Sequence, residues 1–269
     1  MKQRGYSLIE LSVALFVALF LLAGFFVVLQ GTRSTAYSQS GLAQLQDNER
    51  VAMTMLASSI ELAGYYPNPD QTSVATALPP AGVFTQPGQI VYGMSNTGIA
   101  NTTPALGDVL LTRYVAGAKD DVINCQGNSN VTNGAQAAYT NEYAVLQPDP
   151  NSPPYLACSI DGGAHFVKLV SNVTNMSISY GINSTATVQD TLGVPVDGYV
   201  STANMPTAVT ANAAQWTNVY SVKVKLTFVN PLYKPIPNQP ATPGQQATVT
   251  FTRVIGLMSR LGVNVANFT

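Results

Sequence analysis

The chain has 269 residues and a net charge of −1; only 9% of its residues are charged, while 46% are hydrophobic. Soluble domains carry about 25% charged residues, so here Asn, Ser, Thr and Gln must supply much of the polar surface. The balanced charge excludes a basic nucleic-acid footprint, and one histidine with two cysteines excludes a dense metal-ligand set.

The first 29 residues are the most informative. Lys2 and Arg4 precede Gly5, and no charged residue occurs from Leu11 to Leu29. At about 1.5 Å per residue, that run spans about 28 Å, close to the hydrocarbon thickness of a bilayer. The basic leader predicts a cytoplasmic N-terminus, with the remainder on the far side. A secretory signal has an apolar region of about 7–15 residues and a small-residue cleavage site; this run is longer and no such site follows it directly. Glu10 sits at its margin, where a buried charge costs up to about 2.5–3.5 kcal/mol. A simple signal anchor explains the length and the leader, but neither Glu10 nor the Gly5–Tyr6 junction.

Lys2-Gln3-Arg4-Gly5, followed by Tyr6-Ser7-Leu8-Ile9-Glu10-Leu11, resembles the class III signal of type IV pilins and type II secretion pseudopilins. The resemblance implies that a prepilin peptidase cuts between Gly5 and Tyr6 and that the new amine on Tyr6 is methylated. The family usually has Phe at that position; Tyr is an aromatic departure. Tyr6 and Glu10 are spaced i, i+4 and share a helix face. A carboxylate of one subunit and an ammonium of its neighbour would offset each other's burial, setting the axial register of an incoming subunit. The plainer alternative is a glutamate that caps its own helix at the membrane surface.

Residues 32–64 contain no proline. Leu42, Leu45, Ala52, Leu56, Ile60 and Ala63 recur at spacings compatible with one helical face. Gly64, then Pro67 and Pro69, form a helix stop. The expected organisation is a leader over 1–5, a transmembrane or filament-core helix over 6–30, an amphipathic continuation over 31–64, and a β-rich periplasmic domain over 65–269.

In that domain, Tyr220–Phe228 alternates apolar residues with Ser, Lys and Thr, as in a half-buried antiparallel strand. Met176–Ile182 alternates similarly. Weaker strands are expected at Val109–Val115, Glu142–Leu146, Phe166–Val170 and Val249–Ile255. The Pro-rich segments 66–89 and 231–246 read as loops, the second joining two strands as a long hairpin connection. Residues 183–218 read as an irregular excursion. The fold class is α+β and pilin-like: a long N-terminal helix packed on an antiparallel β-sheet with long loops.

Cys125 and Cys158 are the only cysteines. An even count in an exported domain argues for a disulfide; two buried free thiols are the alternative. His165 reads as a surface or half-buried residue rather than a catalyst. Asp120, Asp121, Asn124 and Asn128 crowd one loop, where hard oxygen ligands could hold calcium; their spacing fits a solvated turn better. No nucleophile motif or phosphate loop is visible, so no catalytic residue, cofactor or metal is expected.

Ser58–Tyr66, Gly107–Tyr114, the two cysteines, Leu169–Gly181 and Trp216-x-x-Val219-x-x-Val222 look like PilW-type minor pilins. That resemblance implies a low-abundance subunit that primes fibre assembly at the pilus tip. Its partners would be other minor and major pilins, the prepilin peptidase, the inner-membrane assembly platform, and membrane lipid before assembly. A J-type pseudopilin of type II secretion is the near alternative. A membrane-anchored binding protein or adhesin is the alternative of a different class.

Overall fold

The computed structural model describes residues 8–95, 105–117, 120–129, 136–183, 196–206, 213–233 and 246–260. Two compact units emerge, Met1–Gln46 and Asp47–Thr269. Helix α1 runs over Leu8–Leu62, against an expectation of about 6–64. The first unit holds its N-terminal portion; the last turns belong to the second.

In the second unit, α1 buries Ala52, Met53, Leu56, Ala57 and Ile60, and Ala63 just past its end is buried with them. Ala52, Leu56, Ile60 and Ala63 were read from the helical spacing; Leu42, assigned to the same face, is exposed. Burying a Leu or Ile side chain contributes about 1.5–3 kcal/mol, so this stripe anchors the helix end. Beyond it, Gly64 adopts φ 81°, and its N–H donates to Arg113 O at 2.9 Å. A side chain there would collide with Ser259 and Ile90, so glycine suits both the turn and the space. The loop that follows holds a short helix, α2 (Val74–Ala77), capped by Ser73.

Among the described residues, nine strands follow: β1 (Val91–Ser95), β2 (Asp108–Ala116), β3 (Ala137–Leu146), β4 (Tyr155–Ser159), β5 (Val167–Ser171), β6 (Val173–Ile182), β7 (Gly198–Ser201), β8 (Val219–Val229) and β9 (Thr248–Gly256). They divide into two sheets rather than one. The first is a five-stranded meander in the order β1-β2-β3-β4-β5; the second has four strands in the order β7-β6-β8-β9. All neighbours are antiparallel. Asn172, at φ 65°, is the one residue between β5 and β6 where the chain passes from one sheet to the other. Asn tolerates this left-handed conformation better than most residues.

The sequence pattern explains the second sheet directly. Ile178 pairs with Val224 and Val224 with Arg253; Met176, Ile178, Tyr180, Val222, Val224, Leu226 and Phe228 are buried on one face. The supposed irregular stretch 183–218 contains β7 and two 3-10 helices, Thr202–Asn204 and Ala213–Asn218. The second of these presents Trp216, packed 5.0 Å from Tyr92 and 4.8 Å from Tyr180 between ring centroids. Its indole N–H donates to Pro206 O at 2.7 Å. Asp108 joins the two sheets: its Oδ2 accepts from Ile178 N at 2.7 Å and from the Thr202 hydroxyl at 3.0 Å.

Candidate functional site

The two units offer different candidates. In the first, every large apolar side chain from Leu8 to Leu29 is exposed. This stretch of α1 is long and apolar enough to cross a membrane. A helix that is apolar all round is stable only in lipid or inside a protein assembly. Glu10 lies in its first turn and is exposed. The nearby Ser12 hydroxyl donates back to Ile9 O at 2.8 Å, and the Thr32 and Thr35 hydroxyls do likewise one turn behind; such bonds let polar side chains sit in a helix without seeking water. Gly5 and Tyr6 lie outside the described residues.

In the second unit, the last turns of α1, strand β3 and segment 120–127 enclose a cavity of about 470 Å³. Its floor is a polar network spread widely along the chain. The Ser59 and Thr112 hydroxyls lie 2.9 Å apart, Asn141 Nδ2 donates to Ser59 Oγ at 3.1 Å, and Cys125 N donates to Asn141 Oδ1 at 3.2 Å. The Tyr143 hydroxyl reaches Met55 O at 3.4 Å, and burial pushes its pKa above the usual phenol range. The wall formed by 120–127 is tied to β4 by the Cys125–Cys158 disulfide, with Cα atoms 6.2 Å apart.

That wall does not present a ready calcium site. Asn124 Oδ1 accepts from Gln126 N and Asn128 N, and Asp120 Oδ2 accepts from Gly117 N at 2.7 Å. These are turn hydrogen bonds. Among the described residues, no three His, Cys, Asp or Glu side chains are placed to hold a metal. The cavity offers hydroxyls, amides and the carboxylates of Asp120 and Asp121.

His165 lies in an exposed turn, its Nδ1 2.6 Å from Asp161 Oδ2. The Ser159 hydroxyl, then the backbone N–H and ring of His165, hold the Asp161 carboxyl well below its usual range. Next to it, burial and the Asp161 charge push the Glu142 carboxyl up.

Two buried arginines went unread in the sequence, where a charged residue reads as surface. Arg113 donates to Gln89 O, to Pro79 O at 2.8 Å and to Leu78 O at 3.0 Å, and its guanidinium lies 4.6 Å from the Phe84 ring centroid. Burial lowers its pKa to about 10, leaving it charged at neutral pH. Arg260 donates to Gly88 O at 2.8 Å. Together they clamp the 78–89 loop through its carbonyls.

Two family models match separate parts of the chain. Residues 1–26 match the prokaryotic N-terminal methylation motif, and residues 142–254, from β3 into β9, match the family described as type IV pilus-assembly protein W. No functionally curated protein matches. Among solved structures, a type IV-like pilin from Thermus thermophilus is similar at 10% identity and a TM-score of 0.37, covering 80% of this chain and 98% of that one.

Proposed function

We propose that the chain, whose N-terminal and C-terminal parts match type IV pilin family models, is a minor pilin, a structural subunit that helps prime pilus assembly at or near the tip. In this reading, prepilin peptidase cuts between Gly5 and Tyr6, Tyr6 is N-methylated, and the apolar part of α1 waits in the inner membrane with the body in the periplasm. On assembly, that helix exchanges lipid for the helices of neighbouring pilins. The Tyr6 ammonium of one subunit and Glu10 of the next then offset each other's burial. The carrying observation is the placement of Glu10 in the first turn of a helical stretch whose large apolar side chains are all exposed. A carboxylate there suits a subunit that must find one axial register. The match to the pilus-assembly family over 142–254 favours a pilus over a secretion system.

Mass spectrometry of the native N-terminus tests the reading. A mass beginning at methylated Tyr6 is expected. An intact Met1, or a cut beyond Leu29, would sink it.

A further inference from the structure

Strand β9 is the edge of the second sheet. The other sheet edges, β1, β5 and β7, span 5, 5 and 4 residues, whereas β9 spans 9. Two hydrogen bonds determine which of its backbone groups remain available. Leu257 N donates to Tyr220 O and Asn230 N to Ala247 O, each at 2.9 Å. Backbone groups on a strand point alternately to its two edges. The odd-numbered residues from Ala247 to Leu257 therefore face β8. The N–H and C=O groups of Thr248, Thr250, Thr252, Val254 and Gly256 point away from it, and no strand among the described residues pairs with them. Thr250, Thr252, Arg253 and Val254 are exposed. Folded proteins normally shorten, bend or cover such an edge, because it is a template for another strand.

We infer that β9 pairs with β9 of a second copy of this chain, antiparallel about Thr252. The sequence of the strand selects both the partner and the register. Centring on Thr252 uses all of Thr248–Gly256 and sets outward-facing backbone groups against outward-facing groups throughout. It places Thr252 opposite Thr252, Thr250 opposite Val254 and Val249 opposite Ile255, pairing β-branched residues with one another. Phe251 falls opposite Arg253, which sets a ring against a guanidinium. Centring on Arg253 would place two guanidiniums face to face, which is unfavourable; centring on Phe251 would shorten the overlap to 248–254. The four-stranded sheet becomes one of eight strands, and the exposed Val254 gains a neighbour. One strand pair makes a modest interface, so the dimer is weak in dilute solution. The inference does not depend on the minor-pilin reading.

The test uses the full chain in detergent, with a short thiol-to-thiol cross-linker and sedimentation to measure mass. With its native cysteines in a disulfide, each variant has a single free thiol. Thr252→Cys is expected to cross-link to itself. Thr250→Cys and Val254→Cys are expected to cross-link only when mixed. Thr252→Lys sets like charges together at the two-fold axis and is expected to lose the dimer while keeping the fold. A parent chain that stays monomeric at every concentration overturns the inference. So does a dimer that survives Thr252→Lys, equal cross-linking through Ser177→Cys on β6, or cross-linking of Thr252→Cys only to a different pilin.

Discussion

The first turns of α1 and strand β8 are both rich in apolar residues, and they use them in opposite ways. From Leu8 to Leu29 the apolar side chains cover the whole circumference of the helix and are exposed. From Val219 to Val229 they alternate, and Val222, Val224, Leu226 and Phe228 are buried within the chain's own core. The second segment is satisfied by its own fold; the first requires lipid or other subunits. Changes in the body should therefore register as stability, and changes in the helix as assembly.

The largest effect should come from Arg113→Ala. It removes the guanidinium shared by three carbonyls, and buried polar groups left unsatisfied cost about 1–3 kcal/mol each. We expect a loss of about 4 kcal/mol or outright failure to fold, read by urea denaturation through the fluorescence of Trp216, the sole tryptophan. Cys158→Ser comes next. With the joined cysteines at a sequence separation of 33, the loop-entropy model gives a loss of about 3–4 kcal/mol, measured as a lowered urea midpoint. Ser59→Ala should cost about 1–2 kcal/mol by the same measurement, since it takes a partner from both Thr112 and Asn141.

Glu142→Gln tests sign rather than size. The folded state raises the Glu142 carboxyl through burial and the neighbouring Asp161. Its contribution to stability is thus fully present below the ordinary value of 4.5 and lost as pH rises through the folded value. The variant should melt higher than the parent at neutral pH, and the difference should shrink on acidification. The smallest stability effect belongs to Glu10→Ala, within about 0.5 kcal/mol for the body, together with a sharp fall in the amount of subunit recovered in sheared pili. Normal incorporation of that variant would erase the contrast between the two regions.

How much of this was legible follows from the kind of signal each part carries. Helix α1, β6 and β8 repeat on one period over many residues, so their faces read directly. Strand β4 did not read, because Leu156, Ala157, Cys158 and Ser159 are all buried and nothing alternates. Strand β1 is interrupted by Gly93, whose missing side chain leaves room for the Tyr180 hydroxyl; that reason lies in another strand. The cavity floor was hidden for the same cause, since Ser59, Thr112 and Asn141 meet only after the sheet has formed. The N-terminal signal was the opposite case: it is short and contiguous, and is read as linear sequence rather than as a folded surface.

The end of α1 also bears on the order in which the molecule is made. The Ser259 hydroxyl donates to Ala63 O at 2.8 Å, across 196 positions of sequence. The helix is synthesised well before Ser259, whose hydroxyl closes its C-terminal turn. Contacts this distant in sequence form slowly, so an interval separates the formation of the helix from the closing of its end.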